Sequence, residues 1–557
     1  MTLTEPLRRD LPGPVPLHLR EWGDPARPTL VLVHGYPDTG AVWEAVAGQL
    51  APGYHVVAPD VRGAGASGAP ARRSGYRLEE LTGDLLRVLE SVSPDRPVHL
   101  VGHDWGSVQA WEAVCDPRLE GRIASFTSIS GPPLDHAGRW FRARLAHPGR
   151  GGLAAAARQL AHSWYVAAFH LPGAGPAWRV LGPRLWPLAL ARLEGIDTDL
   201  HPPSPTLAGD AARGLALYRA NFTDRLRRPR PRTTAVPVQV LLVGGDRFVT
   251  PGLLEGIEET APDLWRRTVV DGHWIPLTAP EAVARWIAEF VELVDHPAGP
   301  APRALARSRV APGVPRDRFE GSLVLVTGAG SGIGRATALA FAELGAAVVA
   351  VDIDGESARR TAELARLLGA EAHHRVTDVA DRSAVAGLAK VLAAGLGVPD
   401  VVVNNAGIAL AGPMLETSGE DWEAILAVNL GGVIAGSREF GRLLAERREG
   451  GHIVNVASAA AFTPSRTFPA YATTKAAVLM LTEPLRAELA GSGVGVSAVC
   501  PGFTRTPIVT ATRYLGVDRA EEDRPRGAAE RLYRRRSLRP ERVAAAIVGA
   551  VAADRAR

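Results

Sequence analysis

Two apolar runs in this 557-residue chain end abruptly in glycine-bracketed turns, and the turns are built on different plans. The run 98–101 passes into Gly102-His103-Asp104-Trp105-Gly106, and a helix is expected over 107–114. The run 323–326 passes into Thr327-Gly328-Ala329-Gly330-Ser331-Gly332-Ile333-Gly334, and a helix is expected over 335–344. A strand that gives way to a helix in so few residues needs glycine where backbones crowd. Such turns belong to parallel sheets joined by crossover helices, an α/β class. Further apolar runs at 30–33, 56–58, 123–129 and 238–243 extend the first pattern, and those at 347–351, 401–403, 453–456 and 494–499 extend the second.

The halves share a pattern but no repeat, and 557 residues exceed what one core serves. Between His296 and Asp317 stand five prolines and two glycines with no apolar periodicity, which predicts a linker over 296–318. The expected division is therefore 1–295, linker, and 319–557. Within the first half, about 133–234 is rich in Trp, Arg and Pro with helical spacing and no strong strand. This reads as a helical lid inserted into the sheet.

Composition excludes several classes. With 46% hydrophobic and 22% charged residues, the chain is ordinary globular protein. A net charge of +4 without basic runs interleaved with aromatics argues against nucleic acid, and the cluster Arg534-Arg535-Arg536 reads as a solvated helix end. Cys115 and Cys500 lie far apart, outside any CxxC or His-rich setting. They are expected as small core residues in a reducing cytoplasm, with no metal. No signal peptide or membrane-length span is legible.

In the first turn, Gly102 and Gly106 bracket Asp104 as glycines bracket the serine of a nucleophile elbow. A central carboxylate is already ionised at neutral pH, and its attack on carbon leaves an alkyl ester. A base is needed only afterwards, to activate water. The competing reading, a helix-capping aspartate, does not require both glycines. His273, in Asp271-Gly272-His273-Trp274, has the chain order expected of the base. Asp246, after the run 238–243, is the expected orienting carboxylate, with Asp135 as the alternative.

His34-Gly35-Tyr36-Pro37, Asp60-x-Arg62-Gly63-x-Gly65-x-Ser67, Gly-His-Asp-Trp-Gly and Gly-His-Trp together resemble the epoxide hydrolase branch of the α/β-hydrolase fold over residues 15–293. That resemblance implies an oxyanion hole from the backbone N–H groups of Tyr36 and Trp105. Haloalkane dehalogenases share the Gly-His-Asp-Trp-Gly turn, so the lid must discriminate. Epoxide hydrolases use two lid tyrosines on the ring oxygen. Tyr165, in Trp164-Tyr165-Val166, resembles the first and Tyr218, in Leu217-Tyr218-Arg219, the second, although buried tyrosines often serve packing alone. A dehalogenase would place a polar, halide-binding residue where Tyr36 stands.

In the second turn, Gly328, Gly332 and Gly334 allow a pyrophosphate close to the backbone at a helix N-terminus. Asp352 ends the next strand and can bind ribose hydroxyls while repelling a 2′-phosphate, which favours NAD over NADP; Arg335 has no assured route to the 2′ position. Glycine-rich turns are common, so the remaining pattern matters. Asn404-Asn405-Ala406-Gly407 ends one strand and Ser458 the next. Tyr471 and Lys475 are four apart, on one helical face. Lys475, with the positive nicotinamide nearby, is expected to lower the pKa of Tyr471 so that the phenol accepts an alcohol proton, with Ser458 holding the substrate oxygen.

This set resembles the short-chain dehydrogenase/reductase family, a Rossmann-type doubly wound parallel sheet, over residues 319–555. The resemblance implies Asn429 as a fourth catalytic residue holding a relay water with Lys475. It also implies Asp378 near the adenine, Ser331, Ile333 and Asn405 in the cofactor site, and Pro501, Gly502 and Thr504 by the carboxamide. Family members usually add a strand after the helix here expected over 541–552, so the sheet edge, and any homo-oligomer formed through this domain, is in question. The order of the halves resembles actinobacterial fusions of an epoxide hydrolase with a short-chain dehydrogenase. A diol made by the first would be an alcohol for the second, although fusion equally serves co-expression. Trp164, Trp178 and Trp186 suggest hydrophobic small-molecule substrates, although packing explains them as well. The rival, one half as a non-catalytic assembly module, would leave gaps in a catalytic set, and neither set has one.

Overall fold

Runs of valine, leucine and isoleucine buried on both faces form the centres of two sheets in this computed structural model, which describes residues 5–147, 149–310, 318–515 and 538–557. These residues fall into two compact units. The first holds residues up to 301 together with 308–310, and the second holds 302–307 and the residues from 318 onward.

The first unit contains β1 (Leu7–Leu11), β2 (Leu17–Trp22), β3 (Thr29–Val33), β4 (His55–Pro59), β5 (Val98–His103), β6 (Ile123–Ile129), β7 (Val238–Val243) and β8 (Leu264–Val269). They form one sheet in the order β1-β2-β4-β3-β5-β6-β7-β8, antiparallel at the β1–β2 and β2–β4 pairings and parallel beyond. Leu85, Val88 and Trp111, from the helices Leu78–Val92 and Trp105–Val114, cover one face. Val46, Trp286 and Ile287, from Glu44–Leu50 and Pro280–Asp295, cover the other. Between β6 and β7 stand the lid helices Leu134–Ala146, Arg150–His162, Trp164–His170, Ala174–Ala189 and Leu207–Arg227. The insertion follows the C-terminal end of β6, on the side where the Asp104 turn leaves β5.

The second unit contains β9 (Leu323–Thr327), β10 (Ala347–Asp352), β11 (Ala372–Val376), β12 (Val401–Asn404), β13 (Leu410–Ala411), β14 (Gly451–Val456), β15 (Val494–Val499) and β16 (Arg513–Tyr514). The order β11-β10-β9-β12-β14-β15 is parallel throughout, with β13 and β16 a separate two-residue pair. It reverses direction at β9–β12, the switch point where a dinucleotide binds in such sheets.

Apolar runs predict the central strands but not the edges. β11 reads Ala-His-His-Arg-Val, because an edge strand need bury only part of its surface, whereas β8 carries the partly exposed Arg266 and the buried Arg267, which pairs with Glu289 at 2.6 Å. The linker is also more ordered than its composition implies. Residues Arg303–Ser308 are helical, and within the second unit Arg307 pairs with Asp400 at 2.6 Å. Within the first unit, the Val310 N–H donates to the Leu264 carbonyl at 2.8 Å. No strand follows the helix Pro540–Ala553, yet the Ala498 N–H donates to the Ala556 carbonyl at 3.0 Å, so the final residues lie along β15. Arg534-Arg535-Arg536 lie outside the described residues. No helix among those described is long and apolar enough to cross a membrane.

Candidate active sites

Asp104 stands between β5 and the helix Trp105–Val114 with φ 49°, a left-handed conformation that a non-glycine residue adopts only when its surroundings impose it. The bracketing glycines explain the imposition. A Cβ on Gly106 would overlap the Val33 carbonyl, and one on Gly102 would sit 2.5 Å from the Ser107 Cα. The turn is therefore pressed against β3, and the carboxylate stands above the sheet. The Tyr36 N–H donates to Asp104 Oδ2 at 2.8 Å, and the Trp105 N–H also hydrogen-bonds the carboxylate. The two N–H groups expected as an oxyanion hole thus already hold Asp104. Burial nevertheless keeps this carboxyl above the usual range.

His273 Nδ1 lies 3.1 Å from both oxygens of Asp246. The alternative carboxylate, Asp135, is engaged elsewhere: Oδ2 accepts from Arg225 at 3.1 Å and Oδ1 from the Arg230 N–H at 2.9 Å. Both aspartates follow sheet strands, and packing alone separates them. Burial opposes charge on His273, but the carboxylates of Asp246, Asp104 and Glu194 outweigh it and raise the imidazole to about 9. Burial would likewise raise Asp246, yet His273 holds it below its ordinary value.

Asp104, His273, Tyr36, Tyr165 and Tyr218 line one cavity of about 390 Å³, walled otherwise by Phe169, Trp178, Trp186, Phe248 and Trp274. The rings of Tyr165 and Tyr218 meet edge to face at 6.0 Å, and Tyr218 packs on Trp105 at 4.9 Å. Burial raises both phenols, so they remain protonated donors. The Tyr36 hydroxyl donates to the Ala211 carbonyl at 3.0 Å.

Two acids escaped the sequence reading. Glu194, at the end of a π-helical turn Leu190–Glu194, accepts the N–H groups of His273 and Trp274, and burial raises it. Asp38 accepts the Trp274 indole N–H at 2.9 Å, and burial lifts it to about 7. Asp38 directly follows the His34–Pro37 motif and could have been noticed; nothing local marks Glu194.

In the second unit, Gly328 and Gly332 have φ 64° and 52°, and a Cβ on Gly334 would overlap the Gly328 carbonyl. The loop thus turns tightly at the N-terminus of Gly332–Glu343, with exposed Ser331 at its N-cap and Ile333 against the core. This cradle fits a dinucleotide pyrophosphate. Asn405 Nδ2 donates to the Thr327 and Gly328 carbonyls at 2.9 and 3.2 Å, fixing the loop. Asp352 Oδ2 accepts the Gly330 N–H at 2.8 Å and Oδ1 the Asp354 N–H at 3.0 Å. Arg335 is committed to Thr361 and the Gly330 carbonyl. Asp378 lies exposed just beyond β11, whose neighbour β10 ends in Asp352. Replacing Gly334 with Ala should overpack the turn at a cost of about 1–3 kcal/mol, about 10- to 100-fold in NAD affinity. Calorimetric titration of NAD checks this, and unchanged affinity would contradict the cradle.

Ser458 hydrogen-bonds the Tyr471 side chain, and the Lys475 ammonium donates to the Val456 carbonyl at 2.9 Å. Lys475 by itself does not lower the Tyr471 phenol; the expected lowering pairs it with the positive nicotinamide of bound NAD. Burial raises the phenol, with only Ser458 opposing, and Lys475 Nζ sits 5.8 Å from the ring centroid. Burial lowers Lys475 itself to about 8. Asn429, fully buried in a π-helical turn, accepts the Ile408 N–H at 2.8 Å and donates to the Ile408 carbonyl and Thr474. The Pro501 carbonyl accepts the Ala459 N–H at 2.9 Å, and Thr504 donates to the Gly502 carbonyl at 3.0 Å, which ties that segment to the Ser458 loop. No metal-binding group of three or more His, Cys, Asp or Glu occurs among the described residues.

Residues 28–177 match the alpha/beta hydrolase fold family and residues 322–514 the short chain dehydrogenase family. A protein described as "Probable oxidoreductase EphD" from Mycobacterium tuberculosis is 42% identical over 568 residues, covering 99% of this chain and 94% of its own. A D-threitol dehydrogenase from Mycolicibacterium smegmatis is 40% identical over 193 residues, 34% of this chain and 73% of that one. A short chain dehydrogenase/reductase from Burkholderia phymatum, crystallised with NAD, is 34% identical and covers 42% of this chain and 88% of its own, with a TM-score of 0.40.

Proposed function

Because the chain belongs to the family in which an α/β-hydrolase-fold domain precedes a short-chain dehydrogenase domain, we propose that it is a bifunctional enzyme that hydrates an epoxide to a vicinal diol and, separately, interconverts an alcohol and a carbonyl with NAD. The observation that carries the first activity is a carboxylate nucleophile, a His–Asp pair and two lid phenols on one apolar cavity.

Asp104 attacks an epoxide carbon, forming the ester C–O bond as the ring C–O bond breaks. The ring oxygen takes a proton from Tyr165 or Tyr218. Water then adds to the ester carbonyl while His273 takes its proton. The Tyr36 and Trp105 N–H groups stabilise the oxyanion. Esterification removes the charge of Asp104, one of the anions that hold His273 near 9, so the imidazolium passes its proton to the tyrosinate left by ring opening and acts as base only once the ester exists. Collapse of the tetrahedral intermediate, whose hydroxyl proton goes to the departing diol oxygen, restores Asp104 and leaves His273 protonated as at the start. In single turnovers, ester decay is expected to accelerate with rising pH, with a midpoint below about 9. A pH-independent decay would contradict the role of His273. Tyr165→Phe and Tyr218→Phe should each slow ring opening about 10²-fold, as loss of one oxyanion donor does; stopped-flow ester formation measures this.

The Tyr36 hydroxyl is committed to Ala211, which leaves it no halide to bind and favours the epoxide over a haloalkane. In the second domain, bound NAD supplies the hydride acceptor. Ser458 holds the substrate oxygen and Tyr471 accepts its proton. Asp352, with no cation turned toward it from Arg335, supports NAD over NADP. The test incubates the whole chain with a graded series of epoxides, a haloalkane, and alcohols with NAD or NADP. Diol without halide release and faster turnover with NAD are expected. Halide release without diol, or a preference for NADP, would overturn the corresponding half.

A further inference from the structure

The mouth of the cavity above Asp104 is apolar and faces water. Of the cavity-lining residues, Trp164 is 68% exposed, Leu185 55% and Leu181 50%. Leu188, which does not line the cavity, is 52% exposed and continues the row along Ala174–Ala189. Leu181, Leu185 and Leu188 recur at helical spacing and share a face, and Arg184 falls on that face between them. Contiguous exposed apolar surface around an opening marks an interaction site.

The segment that carries this surface is one-sided in charge. From residue 136 to 193 the sequence carries eight arginines and no aspartate or glutamate, in a chain whose net charge is only +4. Arg158, Arg179, Arg184 and Arg192 are exposed, and none has an ion pair or side-chain hydrogen bond among the described residues. Apolar side chains flanked by unpaired arginines are the composition of helices that lie in an anionic membrane interface. A second copy of the same face would bring arginines against arginines.

We propose that the lid docks on an anionic lipid surface through Trp164 and the leucines of helix Ala174–Ala189, with its arginines among the headgroups and the cavity mouth turned to the acyl region. Docking does not depend on the chemistry at Asp104. The consequence that a lipophilic epoxide passes from lipid into the cavity does rest on the hydrolase reading.

The test sediments the full chain, without substrate, with vesicles of phosphatidylcholine alone or mixed with phosphatidylglycerol, at low and high salt. Binding is expected to the mixed vesicles only, and to fall with salt. Each arginine near such a surface contributes about fivefold, so the Arg179→Glu/Arg184→Glu protein should bind at least about 25-fold more weakly. Val180, 64% exposed on the same helix, lies like Leu188 outside the cavity lining, so Val180→Ser/Leu188→Ser should weaken binding as well, and both variants should retain wild-type turnover of a small, water-soluble epoxide. Wild-type protein left in the supernatant, or variants that sediment like wild type, would overturn the proposal. So would a lipid-free dimer that Val180→Ser/Leu188→Ser dissociates, which would assign the face to a second copy. If no epoxide yields diol while vesicle binding persists, the hydrolase reading fails and docking stands.

Discussion

With His273 replaced by Gln, one equivalent of epoxide should remain on the enzyme as an ester of Asp104. Ring opening needs only the carboxylate, held by the Tyr36 and Trp105 N–H groups, and the lid phenols. Ester hydrolysis needs the base, whose loss costs about 10²–10⁴-fold. Intact-protein mass should rise by the mass of the epoxide, and the adduct should map to the peptide containing Asp104, while diol turnover falls by that factor. Continued diol formation with no adduct would mean that water attacks the epoxide directly. The NAD-dependent activity should be unchanged, because His273 belongs to the first unit.

Replacing Tyr471 with Phe should lower alcohol oxidation by about 10²–10⁴-fold, the range for losing a general base. The phenol is buried, touches Ser458 and lies within one helical turn of Lys475. Its ring can be kept while its proton-accepting oxygen is removed. NAD affinity should stay near wild type, since the glycine loop and Asp352 are untouched, and the fall should be in kcat rather than KM for the cofactor. Equal turnover by the variant would assign proton transfer to another group. Epoxide turnover should again be unaffected.

Both predictions rest on residues legible in the amino-acid sequence itself, though not equally so. The Asp104 turn and the glycine loop are written in contiguous residues. Their glycines stand where a Cβ would strike the neighbouring backbone, a local steric demand that spacing alone reveals. The central strands were legible for a similar reason, since burial on both faces demands an unbroken apolar run. The edges β8 and β11 were not, because β11 meets solvent and tolerates histidine and arginine, and in β8 a partner distant in sequence, Glu289, neutralises the buried Arg267.

What the sequence determined by itself is the pair of residue sets: an aspartate on a strand-to-helix turn, and a glycine loop with a Tyr–Lys pair one helical turn apart. Each is a relation between near neighbours in the chain. Tertiary structure decided which carboxylate serves His273, since Asp135 turns to Arg225 and Asp246 to the imidazole. It brought Glu194 and Asp38 beside that histidine. Charge–charge interaction and desolvation act through space, across packed elements distant in sequence, so only the assembled fold sets their balance.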